Sequence, residues 1–234
     1  MHPSRPLWRS RPLQWAAALL VALAALALLA RLRPGPLPLD RGVHDWLVTH
    51  RTSSVTTFAK FATFTGSGIL VYPMTVVVAA LLWLRQGRVI ALALLLTVFG
   101  GAAATGVLKV AVSRHRPAAR DMLGTAEATL SFPSGHTASG CLLYIGAAMI
   151  ATLTATVAVR VAAVGVATAW AATIAWSRLY LGFHWLSDIV ASALLATAVL
   201  LICAYILRDV VVVSPGPPAV GTTPAPVESR TVGT

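Results

Sequence analysis

The chain is short of charge, and shortest of acid. Only 11% of its 234 residues are charged, with 7 Asp and Glu against 18 Lys and Arg. A soluble domain carries roughly 25% charged residues, so the usual water-facing surface is excluded. Cysteine is scarce too. Cys141 and Cys203 both sit in apolar runs, which leaves them as small packing residues and excludes a disulfide framework or a cysteine-rich metal site. The lack of acid gives a formal net charge of +11. In a soluble chain that excess points to nucleic acid. Here much of it lies in short segments between apolar runs, where anionic lipid headgroups are the nearer partners. Nucleic acid is therefore not expected as a partner.

Apolar sequence is what the chain has in abundance, at 57% hydrophobic residues. Several uncharged stretches approach or exceed the roughly 20 residues that span a bilayer as helix. The expectation is an all-α, polytopic membrane protein with six spans: residues 13–30, 61–84, 89–112, 137–159, 161–176 and 186–207. The first run follows the basic opening "MHPSRPLWRSRP", and its Ala25-Leu26-Ala27 resembles a signal cleavage site. It is longer than the roughly 7–15 residues of a signal-peptide core, so a retained helix is expected. Val43, Trp46, Leu47 and His50 recur at helical spacing and predict a short interfacial helix. Pro73 predicts a kink in the second span, and Arg160 is read as the break between the fourth and fifth. The domain reading is a basic tail over 1–12, a membrane domain over 13–207, and a proline-rich, disordered tail over 208–234.

Six spans place both termini, "RQGR" at 85–88 and Arg160 on one side. The end of the third span, the start of the fourth and the junction of the last two fall on the other. Arg5, Arg9 and Arg11 favour calling the terminal side cytoplasmic, which puts the opposite face outside the cytoplasm.

The unusual polar residues cluster on that opposite face. "SRLYLGFHWLSDIV" carries Ser177, Arg178, His184 and Asp188. His184 and Asp188 are four apart, a helical spacing that lets a carboxylate orient an imidazole and leave the far ring nitrogen with its lone pair. "FPSGHTASG" places Ser134, Gly135 and His136 at a turn leading into a helix, where free backbone N–H groups attract anions. "KVAVSRHRP" supplies Lys109 and Arg116. Each cluster alone also fits a bland role: a helix cap, a self-satisfied polar pair, snorkelling cations at an interface. Their candidate site residues are three cations (Lys109, Arg116 and Arg178), two imidazoles (His136 and His184) and the one acid within the clusters, Asp188. That set suits a phosphate-like anion and not a divalent metal, so neither metal nor cofactor is expected. His184, oriented by Asp188, can attack phosphorus, and His136 can protonate the leaving oxygen and later activate water. Ser134 as nucleophile, with His184 and Asp188 as its base pair, is the competing route. It leaves His136 and the cations with less to do.

The three elements resemble the signatures of the type 2 phosphatidic acid phosphatase (PAP2) superfamily of integral membrane lipid phosphatases. They are Lys109 with Arg116-Pro117, Pro133-Ser134-Gly135-His136, and Ser177-Arg178 with His184 and Asp188, in order and at the same spacing. The resemblance covers roughly residues 40–207. It implies a six-helix PAP2-type bundle and metal-independent hydrolysis of a lipid phosphate or diphosphate through a phosphohistidine. His184 would be the nucleophile, Asp188 its partner and His136 the acid and base, with Lys109, Arg116, Ser134, Gly135 and Arg178 holding phosphate. By analogy the substrate candidates are undecaprenyl diphosphate, phosphatidic acid and phosphatidylglycerol phosphate, and the location is the cell membrane. A catalytically inactive lipid-phosphate binding or transport protein of the same fold is the alternative, and an anion channel would not need the His184–Asp188 pair.

Overall fold

The computed structural model describes residues 10–33, 35–125 and 129–213, with side chains to Arg208. Most of both expected tails, at 1–9 and 214–234, lies outside the described residues. Among the described residues the structure is helical, with no strand. In hydrocarbon every backbone N–H and C=O must find its partner within the protein, which an α-helix achieves by itself. Among the described residues five helices are long and apolar enough to cross a membrane: α1 (Arg11–Leu32), α4 (Gly68–Gln86), α5 (Arg88–Val112), α8 (Val157–Tyr180) and α9 (Leu186–Val213), the last over its stretch to Arg208. A sixth, shorter apolar helix runs from Gly135 to Ala151. It consists of α6 (Gly135–Gly140), a π-helical turn over Cys141–Ile145, and α7 (Gly146–Ala151). Between α1 and α4 lie α2 (Pro38–Thr49) and α3 (Ser53–Thr65).

The short sixth helix sits against α5, α8 and α9. Leu142, Leu143 and Ile150 from it pack with Val71 of α4, Leu94 and Val98 of α5, and Leu200 of α9. α1 lies along α9, where Leu23 and Ala30 meet Ala191, Leu195 and Phe132. The outward faces remain apolar: Val21, Ile69, Leu84 and Val166 are all at least 70% exposed. In water such a surface would aggregate. In a bilayer it faces acyl chains.

The chain is therefore a six-helix, multi-pass membrane bundle, but several boundaries differ from the sequence reading. The run expected over 61–84 is two helices, broken by a turn at Gly66–Ser67. Gly66 packs against Ile174 of α8 and the carbonyl of His136, so close that a Cβ would overlap Ile174. α3 consequently stays at the site end of the bundle, and α4 alone crosses, running on through Pro73. The fourth span ends at Ala151 and not at 159. Arg160 is no interruption. It lies in the first turn of α8, where its guanidinium caps the carbonyls of Thr152 and Leu153. The last helix runs to Val213, past the expected end at 207.

The interfacial helix expected around Val43–His50 is α2. Its buried face carries Asp40, His44 and Leu47, while Leu39 and Trp46 are exposed. With α2 and α3 both at one end, the order of crossings keeps the end of α5, the start of α6 and the α8–α9 junction together there.

Candidate active site

The α8–α9 junction is built by glycine and an N-terminal cap. Gly182 has φ +81°, a left-handed conformation that L side chains rarely adopt. A Cβ there would also run into the carbonyl of Asp121. The chain turns sharply, leaving His184 ahead of α9 rather than on it. Asp188 stands in the first turn of α9 and accepts from the backbone N–H of Trp185 at 3.0 Å, the reach-back of a helix-capping carboxylate. His184 and Asp188 meet across this helix start, with Nδ1 3.4 Å from Oδ2. The expected contact thus forms, through a capped turn and not along one helical face.

Both residues are buried, and the carboxylate is densely held. Ser131 Oγ donates a short hydrogen bond to Asp188 Oδ2 and lies 3.5 Å from His184 Nδ1. Arg114 donates to Asp188 Oδ1 at 2.7 Å. On the other side of the ring, Arg116 Nη1 is 3.0 Å from His184 Nε2 and donates to the Phe183 carbonyl at 2.8 Å. A guanidinium has no acceptor, so Nε2 carries the lone pair and Nδ1 the proton.

The remaining sequence-predicted residues gather around this pair. α5 ends where Ser113 takes a left-handed conformation at φ 53°, so Arg116 is presented by a loop and not by two further helical turns. Lys109, in the last turn of α5, donates to the carbonyl of Leu130 at 2.6 Å and lies 3.5 Å from that of Ser131. It braces the strap that carries Ser131. A cis peptide joins Phe132 to Pro133. Ser134 then caps α6: its Oγ accepts from the Thr137 N–H at 3.4 Å and the Thr137 hydroxyl at 3.1 Å. Its backbone N–H points to the Asp188 carbonyl at 3.4 Å, and Ser192 Oγ donates to its C=O at 3.0 Å. These bonds lash the start of α6 to the start of α9. Gly135 and His136 open α6, half-buried, with no heavy atom within 4 Å of a Cβ placed on Gly135. Arg178 is buried near the end of α8. It lies 4.2 Å from the ring centroid of Phe183 and donates to Thr63 Oγ1 at 2.9 Å.

This arrangement gathers four cations, Lys109, Arg114, Arg116 and Arg178, with His136 and His184 at one end of a membrane bundle, where α6 starts. The sequence model of the PAP2 superfamily matches residues 90–211, which is just over half of the chain and includes all three signature elements.

The chain belongs to the PAP2 superfamily.

It is an integral membrane member of that superfamily. The fold agrees with solved PAP2 architecture. A transmembrane PAP2-type phosphatidylglycerolphosphate phosphatase from Bacillus subtilis superposes with a TM-score of 0.74 at 20% identity, over 83% of this chain and 96% of that one. LpxE from Aquifex aeolicus superposes with a TM-score of 0.56, also at 20% identity, over 74% and 96%. No curated protein sequence matches the chain.

Sequence reasoning overlooked several residues that complete this PAP2 site. Asp188 is not its only acid: Asp40 of α2, far away in sequence, comes to 2.7 Å from Arg114 Nη2. Arg114 lies inside "KVAVSRHRP", where no spacing sets it apart beside Arg116. Ser131, Ser187 and Thr63 are ordinary residue types with no spacing that marks them. An acid in the apolar "PLPLD" stretch was the one signal that could have pointed to Asp40. Among the described residues, no group of three or more His, Cys, Asp or Glu is placed to share a metal ion.

Proposed function

We propose that this PAP2 protein removes the terminal phosphate of a membrane lipid phosphate or diphosphate without a metal, by way of a phosphohistidine at His184. The observation that carries the reading is the Arg116 N–H directed at His184 Nε2. It fixes the tautomer with the lone pair on the outer nitrogen, beside a cation that suits phosphate oxygens.

In the first step Nε2 attacks phosphorus and the bond to the leaving oxygen breaks. His136 gives that oxygen a proton. Asp188 and Ser131 hold the Nδ1–H side of the ring as positive charge develops on it. Lys109, Arg116 and Arg178, with the backbone at Ser134–Gly135, stabilise the equatorial oxygens. In the second step His136 takes a proton from water, which attacks phosphorus. The P–N bond breaks, and inorganic phosphate leaves. A nucleophilic Ser134 fits less well, because its Oγ is buried and engaged as the cap of α6.

Undecaprenyl diphosphate, phosphatidic acid and phosphatidylglycerol phosphate all present a terminal phosphate on an apolar tail, and phosphate release from that panel in detergent ranks them. The division of labour is tested by two variants. His184→Ala should abolish turnover on every substrate. His136→Ala should fail on lipid phosphates, whose alkoxide is a poor leaving group, yet recover part of its first step on p-nitrophenyl phosphate. General acid catalysis contributes about 10²–10⁴-fold, which is the scale of the rescue. Near wild-type activity in His184→Ala, with Ser134→Ala inactive, would establish the serine route instead.

A further inference from the structure

The most unusual group in the fold is not a signature residue. Arg114 is 0% exposed, and its guanidinium bridges two carboxylates, Asp188 Oδ1 and Asp40 Oδ2, each at 2.7 Å and each itself at most 2% exposed. Ser187 closes the assembly. Its hydroxyl accepts from Arg114 Nη1 at 2.6 Å and donates to Asp40 Oδ2 at 2.7 Å, while its backbone N–H donates to Asp40 Oδ1 at 2.8 Å. Two acids and one base, all desolvated, link α2 to the carboxylate that faces His184. A buried ion pair seldom adds stability over a well-packed apolar substitute, so stability alone is a poor reason for this one.

Its charge supplies a better reason. Asp188 paired only with Arg114 would present His184 with a neutral couple. Arg116, 3.0 Å from Nε2, would then oppose positive charge on the ring. A second carboxylate leaves the Asp40–Arg114–Asp188 set with one net negative charge, which is what an imidazole acquiring phosphorus requires. Geometry adds to this. Asp188 Oδ2 serves His184, Ser131 and Trp185 only while Oδ1 is held from behind by Arg114.

We infer that Asp40 and Arg114 are positioning residues, which set the orientation and charge of Asp188 towards His184, Asp40 from outside the three signature elements and Arg114 from within the first, at a position that is not one of its signature residues. The inference rests on His184 being the nucleophile. Asp40→Asn keeps the volume and one acceptor for the α2 cap, where the Leu37 N–H donates to Asp40 at 3.0 Å, and removes the charge. The test is single-turnover phosphorylation of the full-length protein in detergent. Enzyme is in saturating excess over p-nitrophenyl phosphate radiolabelled at phosphorus, and the quench is alkaline to preserve phosphohistidine. The rate constant then reports the functional sites alone, which a partly unfolded sample does not change. It should fall about 10–100-fold in Asp40→Asn, the scale of a misaligned reacting group, with KM within about threefold of wild type. If that variant fails to accumulate, Ser187→Ala carries the same test, with an expected fall of about 3–10-fold. A wild-type rate constant in the variant overturns the positioning role while wild type still forms phosphohistidine. Absence of phosphohistidine from wild type overturns the reading of His184 itself, and this inference with it.

Discussion

Arg114 and Arg116 are two residues apart in sequence and serve opposite sides of one histidine. Arg116 addresses Nε2, the proposed nucleophilic atom, and Arg114 addresses the carboxylate behind Nδ1. Pattern reading singled out Arg116, because Arg-Pro at a fixed distance from a lysine is conspicuous, and passed over Arg114, because a second loop arginine reads as an interface cation. Arg178 shows the same limit from the other direction. Its role in holding phosphate is proposed from its motif, but its orientation depends on Thr63 of α3, which nothing in the sequence marks. Thr63→Val removes one acceptor from a charged donor, an interaction typically worth about 1.5–3 kcal/mol. We expect KM for p-nitrophenyl phosphate to rise about tenfold, with kcat changed less. Steady-state kinetics check this, and an unchanged KM would remove Thr63 from the support of Arg178.

At the scale of elements, the connections decide more than the spans. The apolar runs place most of the crossing helices to within a few residues, because spanning hydrocarbon requires length and low polarity and little else. Helix ends at the site follow other rules. α3 and α4 separate at Gly66 because that residue touches Ile174 and the His136 carbonyl, a contact between segments far apart in sequence. The α8–α9 turn depends on Gly182 in the same way. Gly182→Ala incurs the left-handed penalty of about 1–2 kcal/mol and an overlap with the Asp121 carbonyl, which is backbone and cannot swing aside. We expect a clear drop in thermal unfolding temperature, followed by tryptophan fluorescence in detergent, together with loss of activity two residues from His184. A wild-type unfolding temperature would show that the turn relaxes freely.

For the molecule as a whole, the order of crossings carries α2, α3 and the site to one end, with the 85–88 loop and the α7–α8 turn at the other. We propose that the site end faces away from the cytoplasm of the cell membrane. A cysteine at Arg120, whose side chain is 87% exposed at the site end, should react in intact cells with an impermeant thiol reagent. One at Arg85, at the opposite end, should react only after lysis, and the reverse pattern would invert the orientation. The cationic donor set makes a second prediction for the whole enzyme. Phosphate release should persist in excess EDTA, and vanadate should inhibit as a mimic of the five-coordinate transition state. Activity lost to EDTA and restored by Mg²⁺ or Zn²⁺ would overturn the metal-independent mechanism.

The sequence by itself determined that the chain is helical and membrane-spanning and that its chemistry gathers at one end, because hydropathy and crossing parity are properties of consecutive residues. Three spaced motifs were enough to indicate phosphate and the PAP2 resemblance. Only the tertiary structure decided what stands behind the His184–Asp188 pair. Asp40 reaches Arg114, and through it Asp188, because α2 folds back over the end of the bundle and buries its Asp40–His44–Leu47 face there. In the sequence those residues are an acid after a proline-rich stretch and an arginine among others. In the fold they are two charges that cannot reach water, and desolvation is what obliges them to find one another.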